Sequence, residues 1–544
     1  MADHFSAVLR AAQSRVPKLL AQQVRDTKSF DHGGFFSSQD GLCHPGEAVG
    51  ALDLLVSVFA CPESQYYRNG DVQSSISETL AYIARIQRPD GTFDLLTTNF
   101  FSAPDTAFIL IVLTRVYRIV LSFTLSSLWQ SKLQGIIELA ADGAAEGGFH
   151  TPNHRWVIAA ALLSVYSLFG HRRLRLAAQE YLDEGIDCTP QGEYTERSAG
   201  IYNAVNNAAL VIIADVLDDP AYLEPVRRSM DRLFYYLEPD GTVFTQNSAR
   251  QDKGETGGAE SFFPTRYYEL SLQLAQTFSD GRYASLAAMV LSQTTGTERP
   301  ACLSLFLANP KLRSLDIEPS GLPTNYERYW ADSQIIRIRR NIRTLSLVTD
   351  RSPFAFIQVG ELRCAVKFCA SFFAVSQFRP TELKPHVGGY TMRMHSTGHY
   401  QSPLGLLAET SVWHQMDHRL RGTAKTVNLD MEVSVSETSS GWMFQFETKG
   451  CSRVPAKIEL LLPNDATLHA EAFAVDAHPG GHLLLRSGQL TVRRGAYRIR
   501  VYPGGAAHTY TRQMRGSEPQ SLKHFTVYFT DFTPVARRLY IEEV

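Results

Sequence analysis

Features that would direct attention to a membrane, a nucleic acid or an oxidised scaffold are scarce in this sequence. The longest apolar runs, residues 108–113 and 157–163, fall well short of the roughly 18 residues that span a bilayer. The seven cysteines are scattered and form no CxxC pair, which fits reduced thiols in a cytosolic protein. With 53 Lys and Arg against 55 Asp and Glu, neither nucleic acid nor an anionic membrane is expected as a partner.

The N-terminal stretch MADHFSAVLRAAQSRVPKLLAQQ mixes charged with apolar residues and has no continuous apolar segment of the secretory type. It predicts an amphipathic helix and a cytoplasmic location; secretion is the alternative if a signal has been removed. At 544 residues the chain exceeds what one hydrophobic core usually supports, so two domains are expected.

A loop signature recurs through the first half of the chain. The segments HGGFFSSQD, PDGTFDLLTTN, EGGFHTPNH, QGEYTERSAG and PDGTVFTQNSARQD place glycines at 34, 91, 148, 192 and 241, which are 57, 57, 44 and 49 residues apart. Helical apolar spacing predicts two helices between successive loops. The predicted helices cover 47–60, 72–87, 105–123, 126–141, 156–169, 174–182, 199–217, 221–237, 266–278 and 283–291. Helix pairs repeated in this way predict an open superhelix or a closed (α/α) toroid.

The chemistry of these loops favours the toroid. Each glycine is followed by an aromatic residue and then by polar side chains that directly precede the next helix. Capping accounts for Ser37, Thr151 and Ser198, but Tyr202, His154 and Arg250 are not capping residues. If successive units point the same way, their polar sets gather in a cleft at one end of the ring.

From about residue 329 the pattern changes to alternating, β-rich runs broken by turns, which predicts an antiparallel β-sandwich. The proline-containing stretch 307–325 indicates the connection. The sequence therefore predicts a multidomain fold, α then β: an (α/α) toroid catalytic domain over 1–325 and an antiparallel β-sandwich over 326–544.

This order of domains, with an Asn-His pair in TPNHRW and a tyrosine in SAGIYNAVNN, resembles the heparinase II/III-like polysaccharide lyases and the related alginate and oligoalginate lyases. The resemblance covers the whole chain at the level of architecture. It implies that Asn153, His154 and Tyr202 face a histidine of the sandwich across a cleft. For this residue the segment FRPTELKPHVGGYTMRMHSTGHYQSPL offers His386, Tyr390, His395, His399 and Tyr400. His386 or His399 is preferred as the histidine, with Tyr390 as a further substrate-binding residue.

The implied activity is cleavage next to a uronic acid by β-elimination, in which a base removes the C5 proton and the C4 oxygen departs. His154 is the expected base, since an ordinary histidine is neutral near pH 7. Tyr202 is the expected acid, and the base as well in a syn elimination. Asn153 would neutralise the substrate carboxylate, and Arg197 and Arg250 would hold it.

Glu196 and Asn206 complete the predicted substrate-binding set, although Glu196 and Arg197 pairing with each other is an alternative. Structural roles for His154, near a helix start, and for Tyr202, in a core, are alternatives as well. The expected partner is a uronic-acid-containing oligosaccharide or polysaccharide.

Two other functions remain open. A glycoside hydrolase of the toroid type needs two carboxylates flanking the bond, which Asp105, Glu196 and Asp252 could supply. A carbohydrate-binding protein would use aromatic residues of the loops for stacking, namely Phe35, Phe93, Phe100, Phe149 and Tyr194. No cofactor is required by either enzyme class; His414 and His418 have the spacing of a helical metal pair, but no metal is expected.

Overall fold

The computed structural model describes residues 3–253 and 262–544. They form two compact units. The first comprises the described residues up to 234 together with 248–250 and 262–322, and the second comprises 235–247, 251–253 and 323–544. The change of unit after 322 lies close to the boundary predicted at 325. Segment 235–247, which the sequence reading put in the toroid, groups with the strands instead.

The first unit is an (α/α) toroid of repeated helix pairs. Its α-helices are α1 His4–Gln22, α2 Pro45–Ala60, α3 Gly70–Ile86, α4 Ala103–Ser122, α5 Ser127–Glu146, α6 Pro152–Phe169, α7 Arg172–Leu182, α8 Tyr202–Leu217, α9 Leu223–Phe234, α10 Tyr268–Phe278, α11 Gly281–Gln293 and α12 Leu303–Ala308. A short hairpin, β1 Phe93–Leu95 and β2 Asn99–Ser102, precedes α4.

The helix pairs close on themselves. Helices α2, α4, α6 and α8 each pack on the next, and α3, α5 and α7 form a second such series. Helix α10 contacts α8, and α12 packs on α1, α2 and α4. Because α12 returns to the first pairs, the repeat forms a ring instead of an open superhelix.

The repeated glycines hold the loops against the helices. Gly91 and Gly192 have φ of 89° and 84°, values that favour glycine. A Cβ there would lie 1.9 Å from the carbonyl oxygen of Leu139 in α5 and 2.2 Å from that of Arg228 in α9. The same backbone turn therefore recurs, and it explains why the signature is anchored on glycine.

The second unit is a β-sandwich. Its strands are β3 Asn325–Trp330, β4 Ile335–Arg340, β5 Arg343–Val348, β6 Ala355–Val359, β7 Leu362–Ala370, β8 Glu382–His386, β9 Gly389–Gln401, β10 Thr423–Glu437, β11 Gly441–Gly450, β12 Pro455–Leu462, β13 Thr467–Ala470, β14 Phe473–Asp476, β15 His482–Leu484, β16 Leu490–Arg494, β17 Tyr497–Tyr502, β18 Phe525–Phe532 and β19 Ala536–Glu543. One sheet has the order β14-β13-β16-β17-β19-β11-β10-β9-β8 and the other β15-β18-β12-β7-β6-β5-β4-β3.

All strand pairs in the sandwich are antiparallel except β15 with β18. Alternate side chains of the two sheets fill one core, in which Phe368 of one sheet packs against Phe446 of the other at a ring distance of 5.2 Å. The strict alternation along β10 and β11 is the sequence signal that predicted this half-buried arrangement.

Segment 235–247 is held in the second unit by arginines of the eight-stranded sheet. The Arg337 guanidinium, 0% exposed, lies 2.7 Å from the Glu238 carboxylate, and Arg363 pairs with Asp240. The hydroxyl of Thr344 donates to Glu238 at 2.8 Å. In the described part of the chain, none of the helices is long and apolar enough to cross a membrane.

Candidate functional site

The predicted catalytic residues lie at the starts of two neighbouring helices of the toroid. Helix α6 begins at Pro152, because proline suits the first helical position, so Asn153 and His154 lie in its first turn and not in the preceding loop. Helix α8 begins at Tyr202. Since α6 and α8 pack against each other, these two starts are adjacent in the ring.

Glu196 connects these helix starts through its buried carboxylate. The Asn153 amide nitrogen donates to Glu196 Oε1 and Oε2 at 3.0 and 2.9 Å. Arg250 Nε lies 3.4 Å from Glu196 Oε1. Burial raises the pKa of Glu196, while the Asn153 hydrogen bond and the Arg250 charge oppose the increase. Glu196 therefore joins the predicted amide and the predicted cation into one cluster.

Arg250 also extends this cluster to Tyr202. Its guanidinium carbon lies 4.7 Å from the centroid of the Tyr202 ring, a cation–π distance. Tyr202 is half-buried, and in residues 3–253 and 262–544 no hydrogen bond to its hydroxyl is found. This arrangement differs from that of Tyr194, a core tyrosine whose buried hydroxyl donates to Asn207 Oδ1 at 2.8 Å.

His154 is more buried than the sequence suggested. It is 8% exposed, and its ring lies edge-on to His150 at 4.7 Å and to Phe108 at 6.4 Å. Burial, followed by the neighbouring His150, lowers its pKa to about 4. The expectation of an ordinary histidine pKa is therefore wrong, and His154 is neutral but weakly basic near pH 7.

Arg197 and Glu196 do not pair with each other. Glu196 pairs with Arg250, and no ion pair or side-chain hydrogen bond of Arg197 is found with any residue that the structure describes. Arg197 is half-buried and has a φ of 51°, which is uncommon for a residue other than glycine. Its guanidinium is thus uncommitted at the loop that leads into α8.

Several buried polar atoms of this region lack hydrogen-bond partners within the described part of the chain. They are Asn153 Oδ1, His154 Nδ1, Asn203 Oδ1, Asn206 Oδ1, Asn206 Nδ2 and Arg250 Nε. Buried polar groups in folded proteins are nearly always bonded to protein or water. The asparagine and histidine atoms of this set lie in the first two turns of α6 and α8, where water or a ligand can supply the missing hydrogen bonds.

His150 and Asn203 were absent from the predicted site. His150 lies in the loop just before α6 begins, so its contact with the His154 ring depends on the conformation of that loop, which sequence spacing does not report. Asn203 belongs to the same polar run as Asn206, and only its burial distinguishes it from a solvated asparagine.

The three predicted residues of the sandwich have different environments. His386 and His399 are exposed, with Nδ1 3.0 Å from the Val387 carbonyl oxygen and 3.2 Å from the Thr426 hydroxyl, respectively. Tyr390 is buried in the sandwich core and its hydroxyl donates to Glu327; burial raises its pKa. Tyr390 is thus engaged within the sandwich, whereas substrate contacts of the two histidines stay predictions.

The carboxylates required by the hydrolase alternative are largely committed. Asp105 accepts hydrogen bonds from Ser102 Oγ at 2.5 Å and from Asn99 Nδ2 at 3.0 Å, as expected at the start of a helix. Asp252 is fully buried and belongs to the second unit. Glu196 contacts Asn153 and Arg250 of the cluster around Tyr202.

The spacing of His414 and His418 does not produce a helical pair. The two residues lie in separate single turns, Trp413–Gln415 and His418–Leu420, and His418 Nε2 lies 2.8 Å from the Trp413 carbonyl oxygen. Within residues 3–253 and 262–544, no cluster of three or more His, Cys, Asp or Glu side chains has the arrangement of a metal site.

The loop aromatics divide into two groups. Phe35, Phe93 and Tyr194 are buried and pack beneath their loops. Phe100 and Phe149 are 57% and 44% exposed, so only these two of the five are accessible to a sugar ring.

Comparisons with known proteins show similarity in structure but not in sequence. No family model matches the sequence, and no curated protein does. A xanthan lyase of Paenibacillus is similar over 100% of this chain, at 9% identity and a TM-score of 0.61; this chain spans 57% of that one. A chondroitin AC lyase of Streptomyces coelicolor A3 is similar over 100% of this chain and 80% of its own, at 12% identity and a TM-score of 0.56.

A family 76 glycoside hydrolase from a bovine Bacteroides thetaiotaomicron strain covers 56% of this chain, with 77% of its own length matched, 9% identity and a TM-score of 0.40. The two lyases, in contrast, match this chain through both the helical and the β-rich units. This chain therefore has the fold of the polysaccharide lyases that combine an (α/α) toroid with an antiparallel β-sandwich.

Proposed function

We propose that the protein is a polysaccharide lyase that cleaves next to a uronic acid by β-elimination. The observation that carries the proposal is the position of Arg250, which pairs with Glu196 and lies over the Tyr202 ring. Elimination needs a cation for the substrate carboxylate and a proton-transfer group beside it. Arg250 and Tyr202 supply these two groups in direct contact.

The substrate carboxylate is held by Arg197 and Arg250. Within the described residues, Arg197 has no competing ion pair, and the ion pair of Arg250 with Glu196 is long, at 3.4 Å. Two guanidinium groups suit a carboxylate because each presents parallel donors. With the carboxylate neutralised, the C5 proton becomes more acidic and the enediolate that forms on its removal is stabilised.

Asn153 can neutralise the substrate carboxylate only indirectly. Its amide nitrogen already donates to both oxygens of Glu196, so it would bind a substrate carboxylate only by exchanging that partner. Protonation of Glu196 would facilitate the exchange, and burial already raises the pKa of this carboxyl group. Neutralisation of the substrate by Asn153 is therefore coupled to the charge of Glu196.

Tyr202 carries both proton transfers in a syn elimination. As the phenolate it takes the C5 proton; the C5 electron pair forms the C4–C5 double bond, and the C4–O4 bond breaks. The phenol then returns the proton to the departing O4, so no net proton is gained or lost. Arg250 lies over the ring of this phenol, where it can hold the substrate carboxylate next to the group that transfers the proton.

His154 is less suited to the role of base. A pKa of about 4 makes it a weak proton acceptor near neutral pH, where effective bases have a pKa close to the working pH. Its buried Nδ1 fits a neutral hydrogen-bonding role instead. The proposal therefore moves the base from His154, the residue expected from the sequence, to Tyr202.

The hydrolase alternative rests on one observation, the raised pKa of Glu196, since a glycosidase acid is tuned in this direction. It is disfavoured because Glu196 is occupied by Asn153 and Arg250. The two reactions leave different products: elimination leaves a conjugated unsaturated uronate, which absorbs ultraviolet light, and hydrolysis does not.

The test is ultraviolet absorbance during incubation with uronic-acid-containing oligosaccharides and with xanthan and chondroitin, the polymers in the names of the two similar lyases. Tyr202→Phe should lower kcat on the order of 10²–10⁴-fold, and His154→Gln by less than about 10-fold. Tyr166→Phe is the matched control, because Tyr166 is a half-buried tyrosine of α6 with a guanidinium 5.8 Å from its ring.

Two results would contradict the proposal. New reducing ends without an absorbance increase would show hydrolysis, and Glu196→Gln would then be the variant that abolishes it. An absorbance increase that His154→Gln abolishes and Tyr202→Phe leaves intact would return the base role to His154.

A further inference from the structure

The eight-stranded sheet of the sandwich carries a cavity on the face that turns away from the sandwich core. The core takes Cys364 and Val366 from β7, so Ala365 between them points to the opposite face, as successive residues of a strand do. On that face Ala365, Phe356, Thr344 and the segment that contains Thr245 line a cavity of about 340 Å³. All of its described lining residues belong to the second unit.

The size of the cavity suits a small ligand. Small-molecule sites occupy about 300–1,000 Å³, and about 340 Å³ corresponds to the lower end of that range, enough for one or two sugar rings. The exposed residues Asn464 and Asp465 lie at its rim, so the cavity is accessible from solvent.

The lining combines aromatic surface with a polar group that lacks a partner. The rings of Phe244 and Phe356 meet at 5.6 Å and 73°, and both line the cavity. Thr245 is 1% exposed, and its hydroxyl has no hydrogen-bond partner in the described part of the chain. A buried hydroxyl of this kind is nearly always bonded in a folded protein, so it points to a ligand that offers a hydroxyl in return.

Three pairs of opposite charge lie at the cavity, whose lining also includes Lys523. Glu238 pairs with Arg337 at 2.7 Å, and Asp465 with Arg494 at 2.9 Å. Arg363 pairs with Asp240. Because these charges already have partners, an anionic ligand would have to compete with Asp240 or Asp465, whereas a neutral polyhydroxyl ligand would not.

We propose that this cavity is a second, non-catalytic binding site for a neutral saccharide unit, one or two rings long, whose apolar face lies on Phe244 and Phe356 and whose hydroxyl bonds to Thr245. The choice of a saccharide among neutral polyhydroxyl ligands rests on the proposed function. The site would hold a neutral part of a chain whose acidic part is cleaved elsewhere.

The probe is cellobiose, a neutral disaccharide, observed by saturation-transfer NMR with the full chain; glucuronate is the acidic comparison. A Kd on the order of 1 mM is expected for a ligand of this size. Ala365→Leu fills the cavity and should abolish the transfer. Thr245→Val keeps the shape but removes the hydroxyl, and should raise Kd roughly 5-fold.

Tyr202→Phe separates this site from the toroid, because it should leave cellobiose binding unchanged while it abolishes elimination. Absence of binding, binding that survives Ala365→Leu in a folded protein, or glucuronate binding as tightly as cellobiose would overturn the proposal. Elimination without cellobiose binding would leave the lyase function standing and refute the second site. Cellobiose binding without elimination would support the second site and refute the lyase function.

Discussion

Replacement of His154 by glutamine should make the protein less sensitive to acid. The imidazole is 8% exposed, and its surroundings in the toroid are Phe108, the His150 ring, Asp105 and Arg250. Of the charged and titratable neighbours, only Asp105 favours the protonated form. The low dielectric of the site outweighs it, so the folded protein keeps this histidine neutral down to a pKa of about 4.

The sign and size of the effect follow from proton linkage. In the unfolded chain a histidine takes up a proton near pH 6.5, whereas folded His154 does so only near pH 4. Between these values the unfolded state binds more protons, so the free energy of unfolding falls as the pH falls. At 1.36 kcal/mol per pKa unit, burial of His154 lowers the free energy of unfolding by about 3 kcal/mol in acid, and most of this loss has occurred by pH 4.5. At pH 7 both states are neutral and the contribution is absent.

The assay is urea unfolding of wild type and His154→Gln at pH 7 and at pH 4.5, followed by a toroid-specific probe. The free energy of unfolding should change between pH 7 and pH 4.5 by about 2–3 kcal/mol less in the variant than in wild type. The contributions of all other groups are the same in both proteins and cancel. His399→Gln, a matched change at an exposed position of the sandwich, should preserve the wild-type difference. Equal acid sensitivity of wild type and His154→Gln would refute the burial of this imidazole.

Two further changes test the charged clusters of the two units. Arg250→Lys keeps the charge but loses the planar guanidinium group and its stacking on Tyr202. In the absorbance assay kcat/KM should fall roughly 10- to 100-fold, while the circular dichroism spectrum stays unchanged. Undiminished activity would show that Arg250 is not part of the site. Glu238→Gln leaves the buried Arg337 charge without its 2.7 Å partner and should cost about 3–5 kcal/mol in urea unfolding. Glu437→Gln, which breaks an exposed pair with Arg340, should cost less than about 1 kcal/mol; equal costs would contradict the burial argument.

The fold was accessible from the sequence because its signals are local and repeated. At Gly91 and Gly192 the glycine is required by a positive φ and by the close approach of a helix carbonyl, and Gly148 and Gly241 share the positive φ, so glycine recurs at this point of the repeat. Alternation along β10 and β11 likewise follows from one buried face. Segment 235–247 is attached to the strands by an arginine about one hundred residues later, a tertiary effect that no local pattern reports.

The candidate site was only partly accessible. Proximity of Asn153, Glu196, Arg250 and Tyr202 was inferred from their equivalent positions in successive loops, and hydrogen bonds, an ion pair and a cation–π contact join these four side chains. The pKa of His154 was not predictable, because it depends on burial and on the orientation of the His150 ring. The ion pair of Glu196 with Arg250 was not predictable either, because it depends on side-chain positions in the folded protein. In the sequence the neighbour of Glu196 is Arg197.

Helix α8 carries three buried asparagines whose hydrogen bonding differs. Asn207 is satisfied by the protein, since its Oδ1 accepts from Tyr194 and its Nδ2 donates to Ser229 at 3.2 Å. Asn203 and Asn206 are also buried, yet Asn203 Oδ1 and both polar atoms of Asn206 have no partner within the described residues. Each such atom costs about 1–3 kcal/mol if it stays unbonded, which a domain with about 5–15 kcal/mol of stability does not tolerate repeatedly. A buried structural network therefore explains Asn207. Asn203, which directly follows Tyr202, and Asn206, one helical turn after it, require bonding groups from a substrate or from solvent.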